Sequence, residues 1–290
     1  MAELGLGTVQ FGLDYGVTNA GGKVSKDVAQ SILEVFKKSG HSYLDTASGY
    51  GCSESVLGEL LTSQWGKIVT KISPVAEEVV TPKRAGLVKD VFYRSMNRLC
   101  REKLYALLTH GPSDLLKPGA DYVFESMQQL RESGEVEKIG VSVYTVLELE
   151  EIMKRYDIDI VQVPLNIVDR RMLTSGVLAK AKQRGIEVHV RSVFFQGILL
   201  TDICNLPVRL SKLEDPLREW ASYLQQQRVS ALEGALWFCS QLDEVDVVVC
   251  GVAEYGQMRD LLHAFKKRSD LRKLPEFSNV DDHLLDPRSW

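Results

Sequence analysis

Eight times along this chain a short run of aliphatic and β-branched residues gives way to a longer run with helical periodicity. The short runs lie near 4–9 and over 42–45, 67–71, 104–109, 139–143, 159–163, 187–191 and 245–250. Several are almost wholly apolar, as in D-V-V-V-C and K-I-G-V-S-V. That pattern suits strands covered on both faces of a parallel sheet. Helices are predicted between them over 26–39, 54–63, 83–101, 121–133, 146–155, 171–184, 229–240 and 256–267, with a spare helix over 216–226. In 121–133 the apolar positions 123, 124, 127 and 130 form one stripe. Gly40, Gly134 and Gly185 follow predicted helices where a left-handed cap favours glycine. Eight strand–helix units in 290 residues predict an α/β fold, a (β/α)8 TIM barrel forming a single domain over 1–290. A doubly wound nucleotide-binding sheet would place G-x-G-x-x-G after the first strand, whereas Gly5-Leu6-Gly7-Thr8-Val9-Gln10 ends that pattern in glutamine.

Composition narrows the function classes. A net charge of −4 gives no electrostatic footprint for nucleic acid or an anionic membrane. No run reaches the ~20 apolar residues needed to span a bilayer, and M-A-E-L-G-L-G lacks the basic start of a signal peptide. The cysteines at 52, 100, 204, 239 and 250 form no C-x-x-C pair. They therefore offer neither a zinc site nor a disulfide framework. They read as reduced thiols of a cytoplasmic protein, most of them packing residues, and no metal is expected. Cys52 is the one to test for reactivity.

Three predicted strands end in polar residues. Asp45 closes H-S-Y-L-D, with Tyr50 five residues beyond in D-T-A-S-G-Y-G; Lys71 ends K-I-V-T-K; and His110 ends L-Y-A-L-L-T-H. In a parallel barrel these strand ends share one rim, where the active sites of such barrels are built. A free phenol has a pKa near ~10, too high for efficient proton donation at neutral pH. A neighbouring ammonium stabilises the phenolate, and a carboxylate paired with the ammonium holds it in place. His110 can orient a substrate oxygen or relay a proton. Taken singly, each has a bland reading. A strand-end aspartate often caps a turn, a tyrosine between glycines covers a loop, a lysine is solvated, and a histidine before Gly-Pro makes a turn. Their joint occurrence at successive strand ends carries the argument.

The string Leu44-Asp45-Thr46-Ala47-Ser48-Gly49-Tyr50-Gly51, followed by Ser53-Glu54 and Leu57-Gly58, resembles the aldo-keto reductase superfamily. So do Lys71 and His110 in their order and spacing, the opening L-G-L-G-T-V-Q-F-G, Gly140-Val141-Ser142, Gln162-Val163-Pro164-Leu165-Asn166 and the Gly251 segment. The resemblance covers almost the whole chain, and the style of the sequence, including R-S-V-F-F-Q-G-I-L-L, is similar to bacterial members associated with sugar and surface-polysaccharide metabolism. It implies carbonyl reduction with a nicotinamide cofactor and no Rossmann domain. Tyr50 would be the general acid, Lys71 and Asp45 its tuning pair, and His110 the carbonyl-orienting residue. Ser142 and Gln162 would hold the carboxamide, with Asn166, Thr8 and Asp45 near the nicotinamide half. The loop from Ser192 through Gly197 to Leu199 would take the pyrophosphate, a group that helix N-termini and loop amides of barrels bind. Gly251 and Gln257 would serve the adenosine.

Three residues depart from that pattern. Val143 stands where the family often has asparagine. Arg191 replaces a frequent aromatic, and its flat guanidinium can stack instead. Val252-Ala253-Glu254-Tyr255 lacks the basic and serine residues that clamp a 2′-phosphate, leaving Arg259 against a repelling Glu254. NADP(H) is expected from family habit, with NAD(H) as the alternative. The substrate is a small-molecule carbonyl, sugar-like by resemblance, with Tyr15, Tyr144, Phe194 and Phe195 as pocket candidates. The chain would act as a monomer or homo-oligomer. Two other functions compete: a cofactor-binding redox sensor of the same fold with little turnover, and a cofactor-free isomerase or aldolase using Lys71 as a Schiff-base amine. The intact tetrad argues against the first. Against the second, an Asp45 partner would keep Lys71 charged.

Overall fold

The computed structural model of the chain describes residues 2–289 apart from 17, 18, 20, 62, 63, 74–76, 268–270, 278 and 279, with only the backbone of 84 and 287. Eight parallel strands close into one barrel in sequence order: β1 (Glu3–Gly7), β2 (Tyr43–Asp45), β3 (Lys67–Ile72), β4 (Leu104–Thr109), β5 (Val136–Ser142), β6 (Ile160–Pro164), β7 (Glu187–Arg191) and β8 (Val247–Gly251). Closure is made by β1, whose Gly5 pairs with Tyr43 on one side and Val249 on the other.

Helices follow the strands over Lys26–Lys38, Ser53–Leu60, Pro82–Leu99, Asp121–Glu132, Val146–Arg155, Val177–Gln183, Ala231–Ser240 and Tyr255–Lys266. Their starts are written in capping residues. Ser25 accepts the amide of Val28, and Thr145 with Glu148 and Ser230 with Glu233 form reciprocal boxes. Gly40, Gly134 and Gly185 each take a left-handed φ just past a helix. The spare helix is real and longer than its sequence signal, Glu214–Gln227.

Some boundaries differ from expectation. The predicted helix over 171–184 is two pieces, Arg171–Thr174 and Val177–Gln183, because Gly176 sits at φ +74 between them. The helix predicted to 63 ends at Leu60; positions 62 and 63 lie outside the described residues. The first strand stops at Gly7, and Val9–Gly12 form a single helical turn. The cysteines are also less buried than expected: Cys239 and Cys250 are packed, but Cys52, Cys100 and Cys204 are exposed. Among the described residues no helix is long and apolar enough to cross a membrane, and no cluster of metal-binding side chains occurs.

Candidate active site

The rim at the C-terminal ends of the strands gathers the polar residues. Lys71 and Asp45 are both buried, and Lys71 Nζ lies 2.8 Å from each Asp45 oxygen and 2.9 Å from the Thr46 carbonyl. All three ammonium protons thus have acceptors. Gln162 reaches in from β6 and donates Nε2–H to Asp45 Oδ1 at 2.7 Å, giving the carboxylate a third anchor. Burial pulls the Lys71 ammonium below its usual range, and the Asp45 charge opposes that pull.

Tyr50 is placed by two glycines. A Cβ on Gly12 would lie 1.8 Å from the Tyr50 carbonyl, and one on Gly51 (φ +55) would lie 2.4 Å from the Gly12 carbonyl. Only bare backbone lets the two loops meet this closely. The loop is pinned further by Ser53, whose Oγ lies 2.9 Å from Thr8 Oγ1 and 3.1 Å from Thr46 Oγ1. Buried Glu54 accepts from Thr70 at 2.6 Å and from Arg98 at 2.8 Å. In this frame the Tyr50 ring lies edge-on to His110, centroids 5.4 Å apart, with Lys71 Nζ 5.2 Å from its own centroid.

Part of the Tyr50 surface stays exposed, yet crowding by protein pushes its phenol well above its ordinary value, with Asp45 adding to the rise and Arg191 opposing it. This is opposite to the lowering expected from an ammonium neighbour. The reason is burial, which disfavours the phenolate more than the neighbouring charges favour it, with the Asp45 carboxylate adding to the rise. His110 moves the other way: burial, then the Lys71 charge, lowers its pKa to about 4, so the ring is neutral at neutral pH.

The residues expected near a cofactor fall into two groups. Ser142, Gln162, Arg191 and Ser192 share the rim. The register sets Ser142 opposite Gln162, and Arg191 donates from Nε to Ser142 Oγ at 3.3 Å and from Nη1 to Ser192 Oγ at 3.4 Å. Gly251, on β8, pairs in register with Gly7. The others are engaged in local structure. Thr8 Oγ1 lies 2.9 Å from the Asp45 carbonyl, and Asn166 accepts two backbone amides and donates to the Ser192 carbonyl. Gln257 Oε1 accepts the Ala253 amide at 2.8 Å, and the Leu199 side chain is in the core. Gly197 lies in a bent segment where Ser192, Phe195 and Gln196 all adopt positive φ. Of the aromatic candidates, Phe195 is packed in the core and cannot line a pocket, whereas Tyr144 lies beneath the Arg191 guanidinium at 4.3 Å.

Two residues were not foreseen. Gln10 lies over Gly251, where a Cβ would come within 2.7 Å of its amide oxygen, and that oxygen is buried with no hydrogen-bond partner among the described residues. Its signal was the glutamine that ended the false dinucleotide motif. Arg288 also lies over the Tyr144 ring at 4.0 Å while paired with Asp286 at 2.6 Å and Glu148 at 3.4 Å. Nothing in its local sequence marks it. A cavity of about 290 Å³ beside Ile198, Thr201, Ile203, Leu206 and Leu217 lies apart from this cluster, since none of the four tetrad residues lines it.

Comparison with known proteins agrees with the barrel fold. The Aldo/keto reductase family profile matches residues 3–281. An uncharacterized oxidoreductase, YqkF, of Bacillus subtilis is 24% identical over 92% of this chain and 88% of its own length. The Bacillus subtilis aldo-keto reductase YhdN is 26% identical over 68% of this chain and 60% of its own. A soybean NAD(P)H-dependent 6′-deoxychalcone synthase is 30% identical, but over only 44% of this chain and 45% of its own length. Among solved structures, an aldo-keto reductase from Bacillus halodurans in its holo form superposes with a TM-score of 0.75 over 97% of this chain and 95% of its own, at 21% identity. A barrel closed in sequence order, with a family match running from its first strand past its last, makes this chain a member of the aldo/keto reductase family and an oxidoreductase.

Proposed function

We propose that the protein reduces an aldehyde or ketone to an alcohol with a nicotinamide cofactor, Tyr50 acting as general acid. The observation that carries the proposal is the buried Lys71–Asp45 pair beside a phenol and a neutral imidazole that no described residue hydrogen-bonds. The polar atoms left over on the rim fit a carboxamide, which needs one donor and one acceptor. Ser142 accepts from Arg191 and keeps its own hydroxyl proton to give. Gln162 uses its Nε2 on Asp45 and keeps Oε1 free of described partners.

A bound nicotinamide supplies the hydride. Tyr50, protonated in the resting site, gives its phenolic proton to the carbonyl oxygen as negative charge gathers there. The phenolate left behind faces the ammonium of Lys71 and the guanidinium of Arg191, which stabilise it. His110, held neutral, offers a ring N–H to the same oxygen and fixes the carbonyl's orientation. Exposed Tyr15 supplies a flat apolar face for the remainder of the substrate, which suits a sugar-like or aromatic carbonyl, while Tyr144 is taken up by the guanidinium groups of Arg191 and Arg288. The cofactor is NADP(H), with NAD(H) as the alternative, since exposed Glu254 and exposed Arg259 act in opposite senses on a 2′-phosphate.

Titration with NADPH and NADH, followed by nicotinamide fluorescence, is the first test; binding of neither would overturn the proposal. Turnover of 4-nitrobenzaldehyde should then fall by ~10²–10⁴-fold in Tyr50→Phe. Tight binding without turnover in the unaltered protein would point to the redox-sensing reading instead. A borohydride-trapped lysine adduct would favour the aldolase.

A further inference from the structure

Arg191 is the arginine that faces the tetrad, and among the described residues its charge has no carboxylate partner. Several other arginines are paired with carboxylates, among them Arg98 with Glu54, Arg171 with Asp169, and Arg288 with Asp286 and Glu148, while Arg170 donates to the carbonyls of Ile167 and Pro275 away from the tetrad. Arg191 is half-buried and meets only neutral acceptors: Ser142 Oγ, Ser192 Oγ, and the Val143 carbonyl at 3.0 Å from Nη2. No acidic side chain among the described residues pairs with it. The Tyr144 ring beneath it, braced by Arg288 on another contact, holds the guanidinium over the rim without neutralising it. Its charge is felt at Tyr50, Lys71 and His110.

We propose that Arg191 makes the site discriminate between the two redox states of its nicotinamide, holding the reduced, uncharged ring more tightly than the oxidised, cationic one. This rests on the reading given under Proposed function, in which Ser142 and Gln162 take the carboxamide. A group hydrogen-bonded to Ser142 Oγ is then two hydrogen-bond lengths from Arg191 Nε. The ring must also stand within contact of a carbonyl held by Tyr50 and His110, the two residues on which Arg191 already acts. Both constraints put a formally positive ring beside an uncompensated guanidinium. At such separations and an effective dielectric constant of about 20, the repulsion weakens binding of the oxidised form by roughly ten- to a hundredfold. The pyrophosphate and adenosine are common to both forms and cancel from the comparison. Arg191 thereby favours release of spent cofactor and uptake of fresh.

The experiment is equilibrium binding of both redox forms of whichever cofactor binds, measured by titration calorimetry in the unaltered protein, Arg191→Gln and Arg191→Lys. The unaltered protein should prefer the reduced form by about tenfold or more, and Arg191→Gln should shrink that ratio at least about fivefold. Arg191→Lys, which keeps the charge, should largely preserve it. Equal affinity for the two forms in the unaltered protein, or an unchanged ratio in a folded Arg191→Gln, would overturn the inference. If Arg191→Gln fails to fold, Arg191→Met decides by the same ratio: a ratio that shrinks as for loss of charge supports the inference, and an unchanged one overturns it. Failure to bind either form would overturn the reading of function instead.

Discussion

The two ends of the barrel are built by the same strands and do different things. A strand's period of two puts Tyr43 with Asp45 on one face of β2, Lys67 with Lys71 on β3, and Glu187 with His189 and Arg191 on β7. The first residue of each set lies at the floor and the last at the rim. At the floor, Glu187 accepts from Tyr105 at 2.6 Å and is bound by His189 at 2.6 Å and by Lys138, while Lys67 donates to the Tyr43 hydroxyl at 3.1 Å. An apolar layer of Val69, Ala106, Leu108 and Ile160 separates this network from the rim. Among the described residues the floor leaves one buried side-chain atom over, His189 Nδ1; above the layer Asp45 is saturated by Lys71 and Gln162, while Tyr50, His110 and Arg191 all keep polar atoms unmatched. Polar groups that satisfy one another hold a barrel shut; those left over are what a ligand can use.

The contrast can be broken most directly at Lys71. Lys71→Met should remove turnover and destabilise the fold by about 3–5 kcal/mol in urea unfolding, because it leaves Asp45 buried without its cation. Combining it with Asp45→Asn should restore much of the stability and none of the activity; recovery of turnover would show that the pair is only a brace. At the floor, hydrogen bonds from His189, Lys138 and Tyr105 overcome burial and hold the Glu187 carboxyl at about 2. A depressed carboxyl contributes stability that is full above its unfolded value near ~4.5 and is lost as pH falls toward that lower value. Glu187→Gln should therefore cost about 3 kcal/mol at neutral pH, flatten the loss of stability in acid, and leave turnover within about twofold. A large fall in kcat would join floor to rim and end the comparison.

The third test is sharper and smaller. With His110 at about 4, kcat/KM should show no inflection near ~6.5 and should decline only as pH approaches the lower value. An inflection near the free-histidine value, absent in His110→Gln, would place a charged imidazole in the working site. Last, exposed Cys52 next to the Tyr50 loop should be dispensable: Cys52→Ser should shift stability by no more than about 0.5 kcal/mol. Loss of turnover on that change would make the thiol part of the site.

The rim was readable in the sequence because polar residues closing apolar strands break a strong pattern. The floor was not, and for the same reason its boundaries were misjudged. β5 was expected to begin at 139, yet it begins at Val136, since Glu137 and Lys138 disguise its first turn of the ladder as loop. Lys138 is there to meet Glu187, a partner 49 positions away that no local window contains. Arg288 over Tyr144 was hidden in the same way. Gly176, by contrast, was locally visible as a breaker, and the helical periodicity on either side of it masked the interruption. The direction of the Tyr50 shift needed the packing: only a structure says that burial of the phenol outweighs the cations around it.

Ring closure has a consequence in time. Gly5 finds half of its strand partners in Tyr43 early, but the other half, through Val249, only when nearly the whole chain is present. At typical synthesis rates the first strand waits roughly 10–50 s with one edge unpaired. Pairings this distant in sequence form slowly even afterwards. The rim is complete only once β8 has docked, so the emerging chain carries Asp45, Tyr50 and Lys71 well before it carries a working site. An open β1 edge in that interval is where chaperone contact or misassembly would concentrate.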